Sequence, residues 1–462
     1  MIDADSVAKY DLPGHLRSVP DEIEVTGLPV TGALPPELTG RYVRNGPNAL
    51  PGQTTAQPLA GPGMLHGVRL RAGRAEWYRN RWVRTGAFQG RSFVTADGRL
   101  DLTATSANTH VMRHADRILA LVEVGLPHEV TPTLDTVGPC DFGGRLTTAM
   151  TAHPKLDPVT GELHFFGYGM RPPYLTYHRL DAAGALVHSQ EIEVPTGTMM
   201  HDFAITEHYV VWLDLPVTFQ WGLAGGPVPY QWDDAYGARL GIMRHDEPGA
   251  RVRWFGIDPC YVFHVGNAYE DAEGRIVLDA VRYAPADFAA MWRVARAMDM
   301  TLAAGRSVLH RWILDPAGTG VTAREEQLDD RSVEMPTMND TRVGRPARYL
   351  YTIIGGAPNS QDDCAIVKYD IESGKSTSYD LAPEVAIGEA VFVPSSGGPG
   401  APEGPRGEDD GWLISIATLR DGSASQLLVL DATDLPAGPV ASVELPRGVP
   451  TGFHGSWLPD EV

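Results

Sequence analysis

The chain has 462 residues, 43% hydrophobic and 21% charged, a balance typical of a soluble globular protein and unlike that of a disordered chain. With 38 Lys and Arg against 58 Asp and Glu the formal net charge is −20, which argues against a nucleic-acid partner, since basic patches supply that affinity. No apolar run approaches the roughly 20 residues that cross a bilayer, and the opening "MIDADSVAKYDLPGHL" lacks a basic-then-apolar leader pattern, so the expected location is cytoplasmic.

In chain order, short apolar or alternating runs recur between Gly, Pro and Asp turns, the pattern of strands. They are "ELHFFGYG" (162–169), "YVVWLDLPV" (209–217), "RIVLDAVRY" (275–283), "ARYLYTIIG" (347–355), "CAIVKYDIESGKSTSYDL" (364–381), "GWLISIATL" (411–419) and "SQLLVLDATD" (425–434). Their steady recurrence without a linker predicts an all-β protein, and among repetitive β folds a propeller uses this length best as a single domain, 1–462. Two segments interrupt the pattern. Residues 286–300 place Phe288, Met291, Trp292 and Ala295 at helical spacing, predicting an amphipathic helix carried on a loop and packed over the top of the propeller. Residues 394–410 are rich in Gly, Pro and acidic residues and read as a surface loop, because strand-like sequence resumes at once. The three cysteines, Cys140, Cys260 and Cys364, have no C-x-x-C spacing and read as small buried apolar residues.

Of the 15 histidines, four share a setting: His153 in "MTAHPKLDP", His201 in "TMMHDFAIT", His264 in "YVFHVGNAYED" and His454 in "GFHGSW". Each follows a small or apolar residue and precedes a turn-forming or acidic stretch, where a strand of a β fold reaches a rim or axis. Inner strands of different blades converge on a propeller's axis, so residues scattered from 153 to 454 can meet in space. The residues alone leave two readings open: a shared metal site, or four polar side chains each satisfied locally.

The stretches "GRYVRNGPN" (40–48), "GMLHGVRL" (63–70), "ANTHVMRHADRILALVEVGLPHEV" (107–130), "TAHPKLDPVTGELHFFGY" (151–168), "MMHDFAITEHYVVWLDLP" (199–216), "PCYVFHVGNAYED" (259–271), "GEAVFVP" (388–394) and "HGSW" (454–457) occur in one order from about residue 20 to the C-terminus. Together they resemble the carotenoid cleavage oxygenases, a family that also includes stilbene-cleaving and alkenylphenol-cleaving enzymes and a retinoid isomerase. The resemblance implies a seven-bladed β-propeller with a dome of loops and helix over an axial non-haem Fe(II), one per chain, bound by His153, His201, His264 and His454, with O2 as co-substrate. Neutral imidazole suits iron and must be deprotonated to bind it. The same resemblance implies three carboxylates behind the ligands: Glu123 in "ALVEVGLP", Glu389 in "GEAVFVP" and, by order and approximate position, Glu334 in "RSVEMPTMND", with Glu325 or Glu326 as alternatives to the last. Thr109 in "ANTHV" matches a threonine beside the O2 position. Val122 and Phe263, preceding Glu123 and His264, are read as walls of the substrate pocket.

Two departures bear on substrate. Many relatives carry Phe-Asp-Gly-Asp before Gly-Met, where this chain has "LAGPGM", Leu59 to Met64. Hydroxystilbene-cleaving relatives carry a lysine where this chain has Val122, which cannot donate a hydrogen bond to a phenol. The expected activity is therefore oxidative cleavage of a conjugated C=C bond of a carotenoid or apocarotenoid into two carbonyl products. The alternatives are a stilbene or alkenylphenol cleaver, an isomerase, or a non-catalytic binder of apolar ligands on the same scaffold. The expected partner is an apolar conjugated small molecule, with at most a peripheral membrane contact through the 286–300 helix.

Overall fold

The computed structural model describes residues 14–52, 60–224, 228–297, 305–355, 364–395 and 406–460, with side chains omitted for 294–297. The chain divides into two compact units, one comprising 1–140, 362–368 and 376–462, the other 141–361 and 369–375.

The first unit joins the two ends of the chain through strand pairing. Its five-stranded sheet runs Glu24–Thr26, Arg74–Trp82, Gly63–Arg71, Gly40–Pro47, Gly455–Pro459, so the last strand is hydrogen-bonded to an early one, with Arg44 opposite Gly455. Gly455 is required there, because a Cβ on it would lie 2.7 Å from the Tyr42 hydroxyl. A six-stranded sheet is closed in the same way by Val30–Gly32 pairing with Pro439–Glu444. A third sheet of four strands spans His110–His114 to Thr136–Pro139. Tyr42, Val68, Tyr78, Ile414, Leu427 and Val443 fill the core between the first two.

The second unit holds three complete four-stranded meanders, beginning at Lys155–Leu156, Ala204–Ile205 and Tyr261–Glu270. In the first of these, a strand in the middle of the sheet is covered on both faces, whereas the outermost strand alternates. Leu163–Tyr168 is buried at every position; Leu186–Glu191 alternates between covered and exposed residues. Phe166, Phe203 and Trp212 knit neighbouring sheets through edge-to-face and stacked contacts at 5.1 and 5.8 Å. A further four-stranded sheet is formed by Glu334–Thr337, Tyr349–Ile354, Ala365–Asp370 and Lys375–Asp380. Seven antiparallel sheets of four to six strands are thus present among the described residues, and the fold is a seven-bladed β-propeller.

Two expectations need adjustment. The run "YVVWLDLPV" forms two strands, Tyr209–Asp214 and Val217–Phe219. Pro216 lacks the N–H a continuing ladder needs, and the Val217 N–H turns back to the Leu215 carbonyl at 2.8 Å. The helix covers Pro285–Ala297, with proline at its first position, where the missing N–H costs nothing; residues 298–300 of the expected span lie outside the described residues. Its apolar side faces inward: Phe288 is fully buried and stacks on Trp292 at 5.2 Å and Phe263 at 6.2 Å. The 394–410 loop begins with the end of strand Val391–Pro394, and its ends meet through Ser395 N–H to the Asp410 carbonyl at 3.0 Å; residues 396–405 lie outside the described residues. All three cysteines are buried, as expected. Among the described residues no helix is long and apolar enough to cross a membrane.

Candidate metal centre

In the second unit, His153 and His201 stand on extended segments just ahead of the short strands Lys155–Leu156 and Ala204–Ile205. His264 differs from the expected strand-end setting. It lies inside Tyr261–Glu270, where the pairing register shifts on both sides of Val265. Such an irregularity bends a strand and re-aims a side chain. The three rings converge, with centroids 4.6, 5.3 and 5.2 Å apart. The Nε2 atoms of His153 and His201 are 3.0 Å apart. Thr151, fully buried, holds the two segments together, its hydroxyl accepting the His153 N–H at 3.1 Å and reaching the His201 carbonyl at 3.5 Å.

Behind His264, Glu334 accepts the Nδ1 proton at 2.6 Å, which leaves Nε2 as the lone-pair nitrogen. Glu334 also accepts the Tyr283 hydroxyl and the Met335 N–H, each at 2.8 Å. Burial opposes its ionisation, but His264, the Met335 N–H and the Tyr283 hydroxyl outweigh that and hold its pKa below the usual carboxylate value. Burial first, then the Glu334 charge, pushes the Tyr283 phenol well above its ordinary range. The other two glutamates weighed for this position are turned elsewhere. Glu325 accepts the Asp258 N–H at 2.7 Å and faces His310 at 3.3 Å, and Glu326 lies 3.5 Å from Arg324.

In the first unit, His454 is 5% exposed and directly precedes Gly455–Pro459. Its Nδ1 donates to Glu389 at 3.1 Å, and the second Glu389 oxygen accepts the Gly455 N–H at 2.9 Å. Burial again works against ionisation of Glu389, and His454, His110 and the Gly455 N–H reverse the balance, lowering its pKa. The His454 N–H donates to the Thr109 carbonyl at 3.1 Å. Asn45 from "GRYVRNGPN" ties these segments: its N–H donates to the His454 carbonyl at 3.0 Å, and its amide donates to the carbonyls of Ala107 and His110 at 2.9 and 3.0 Å. The "LAGPGM" stretch, of which Leu59 lies outside the described residues, rests on the same turn. The Gly61 carbonyl accepts from Asn108 at 2.9 Å, and a Cβ on Gly63 would lie 2.3 Å from the Ala107 carbonyl. Thr109 and Val122 are buried and Glu123 is half-buried, both of the last two following strand Arg117–Leu121.

The donor chemistry suits a borderline cation such as iron. One ring nitrogen from each of His153, His201 and His264 lies within 4.8 Å of the others, and His264 is held by a carboxylate in the tautomer that presents Nε2. Sequence reasoning did not single out Asn45, Thr151, Asp202 or Tyr283. A tyrosine closing the otherwise buried run "RIVLDAVRY" was a signal, since a buried phenol needs a partner. Replacing Glu334 or Glu389 with Gln should weaken divalent-metal binding roughly 10–100-fold, because an amide cannot supply the charge that orients the imidazole. Calorimetric titration of metal-free protein measures it, and wild-type affinity in either variant would remove that carboxylate from the site.

The sequence matches the family profile described as RPE65, retinal pigment epithelial membrane protein, over residues 16–459. It is 39% identical to a carotenoid cleavage oxygenase of Mycobacterium tuberculosis, covering 97% of each chain. Among solved structures it resembles the lignostilbene dioxygenase of Pseudomonas brassicacearum, with TM-score 0.82, 26% identity and coverage of 98% and 99% of the two chains. It also resembles cobalt-substituted Synechocystis apocarotenoid oxygenase, with TM-score 0.80, 29% identity and coverage of 96% and 98%. With nearly its full length matched by the profile and by these relatives, the chain belongs to the RPE65/carotenoid cleavage oxygenase family.

Proposed function

We propose that this protein is an Fe(II)-dependent dioxygenase that cleaves a conjugated C=C bond of a carotenoid or apocarotenoid. The alkene and O2 are consumed together: the C=C bond breaks and each carbon takes one oxygen, giving two carbonyl products with no external reductant. The observation that carries this reading is the convergence of His153, His201 and His264, with His264 fixed by Glu334 so that its Nε2 lone pair is available. We assign His454, oriented by Glu389, as the fourth ligand. Glu123 is assigned to orient another of the ligands. Iron held by four neutral imidazoles would supply O2 activation beside the alkene.

The remaining tasks fall to side chains. Phe263 stands edge-on to the His201 ring at 5.2 Å and is packed among Tyr261, Tyr283 and Phe288 at 4.7, 5.6 and 6.2 Å. We assign it, with buried Val122, to the apolar wall that holds the polyene and keeps water out. Thr109, whose carbonyl holds the His454 segment, is assigned to narrow the O2 position. Three buried cysteines outside any disulfide fit a reducing, cytoplasmic setting. Likeness to a lignostilbene dioxygenase keeps stilbene or alkenylphenol cleavage as the second reading; Val122, with no hydrogen-bond donor, weighs against it. The test incubates iron-loaded protein and O2 with a panel of apocarotenoids, stilbenes and alkenylphenols and identifies products by mass spectrometry. Paired carbonyl fragments from an apocarotenoid are expected. Fragments from the stilbenes or alkenylphenols alone would establish the second reading, rearranged but uncleaved polyene an isomerase, and no turnover of any of them a binder.

A further inference from the structure

One carboxylate in the second unit touches the chain segments that carry His153, His201 and His264. Asp202, 2% exposed, follows His201 directly. Its Oδ1 lies 2.7 Å from the Nζ of Lys155, two residues beyond His153, and accepts the Phe203 N–H at 2.8 Å. Its Oδ2 accepts the N–H of Val265, the residue after His264, at 2.8 Å. That bond falls where the register of Tyr261–Glu270 shifts, so it pins the irregularity that displaces His264 from a regular ladder.

An ion pair with one partner buried, as Asp202 is, and the other half-buried, as Lys155 is, is an inefficient way to stabilise a fold, because desolvation of the buried charge offsets much of the attraction. What such a pair offers is directional geometry. Here the carboxylate uses both oxygens, and the Lys155 ammonium, which also lies 6.0 Å over the Phe203 ring, comes from the first of the three segments. We propose that Asp202 is a positioning residue which, with Lys155, sets the mutual placement of the three histidine-bearing segments and thereby the affinity and ligand field of the metal. This rests on the metal-centre reading above and adds to it a residue that touches no metal.

The test titrates metal-free wild type, Asp202→Asn, Lys155→Met and His201→Ala with Co(II), following visible absorption bands, with circular dichroism of each metal-free protein at the titration temperature. Asp202→Asn keeps the size of the side chain and loses its charge. We expect its Co(II) affinity to fall roughly 10–100-fold, the usual effect of losing a partner behind the ligands, with displaced visible bands and a wild-type dichroism spectrum. Lys155→Met, which leaves the Val265 bond in place, should move both readouts in the same direction by less. A purely structural role would lower the melting temperature while leaving bands and affinity of the folded protein unchanged, and that result in Asp202→Asn overturns the proposal. Should Asp202→Asn not fold, Lys155→Met decides: weakened affinity with shifted bands supports the proposal, and wild-type behaviour overturns it. A wild type that takes up no cobalt, or undiminished binding in His201→Ala, would instead overturn the metal-centre reading.

Discussion

Replacing His153, His201, His264 or His454 with Ala, one at a time, should abolish stoichiometric iron and cleavage activity while leaving a folded propeller. The loss should exceed the roughly 10–100-fold that removing a carboxylate behind a ligand causes, because a donor to the ion itself is gone. The four variants should not be equally stable. His153→Ala and His201→Ala remove rings whose Nε2 atoms face each other at 3.0 Å, and Glu123, the carboxylate assigned to one of the two, is half-buried where Glu389 is buried. His264→Ala strips Glu334 of its largest compensating partner, leaving the Tyr283 hydroxyl and the Met335 N–H against burial. His454→Ala does the same to Glu389, which keeps the Gly455 N–H and the nearby His110. These two should therefore lose about 1–3 kcal/mol more than the first pair, the cost of an under-satisfied buried polar group. Metal analysis after dialysis, with thermal melts by circular dichroism, reads both effects. Full iron and turnover in any single variant would remove that histidine from the ligand set.

How much of this was legible before folding depends on range. The strands announce themselves because burial on one or both faces imposes period two or a continuous apolar run over a few residues, as in "ELHFFGYG" and "GWLISIATL". The break after Asp214 was also local, yet Pro216 sits in so apolar a run that pattern outweighed the missing donor. The histidines are another matter. Nothing within ten residues of His264 distinguishes a ligand from a satisfied strand histidine, and its aim depends on an irregularity stabilised by Asp202, more than sixty positions earlier in the chain. Glu334 likewise meets His264 across seventy residues, so spacing could not choose among it, Glu325 and Glu326; only the folded register turns Glu325 toward Asp258. The resemblance is what named the four histidines and Glu334 together, since ordered motifs across the chain carry three-dimensional information that short-range periodicity lacks. It did not supply the supports. Asn45, Thr151 and Asp202 act through backbone groups and through other side chains, and a single sequence offers no signature for that; Tyr283 left a trace only as a phenol closing an apolar run.

Val122 is the position where substrate choice is most exposed to test. It is 7% exposed and follows strand Arg117–Leu121 immediately before Glu123. In an apolar pocket a polyene gains roughly 25 cal/mol for each Å² it removes from water, whereas a para-hydroxyl arriving beside a valine loses its water partners and finds none, at about 1–3 kcal/mol. The wild type should therefore prefer an apocarotenal to a 4-hydroxystilbene. Val122→Lys acts on both sides of that comparison. An ammonium set against hydrocarbon is unfavourable unless paired, which penalises the polyene. The same ammonium can donate to a phenol oxygen, which relieves the hydroxystilbene. If each contribution is about 1–3 kcal/mol, and each 1.4 kcal/mol is tenfold, the two together should shift the ratio of kcat/KM by at least roughly thirtyfold toward the hydroxystilbene. Glu123, next in sequence and half-buried, could draw the new ammonium away, so Val122→Gln, a neutral donor, is the companion variant and should move the ratio the same way by less. The measurement is kcat/KM for both substrates in the three proteins at one iron loading. A wild type that already favours the hydroxystilbene tenfold or more would transfer the assignment to the stilbene-cleaving branch and place the phenol on a donor other than residue 122. An unchanged ratio in both variants would show that Val122 does not border the bound substrate.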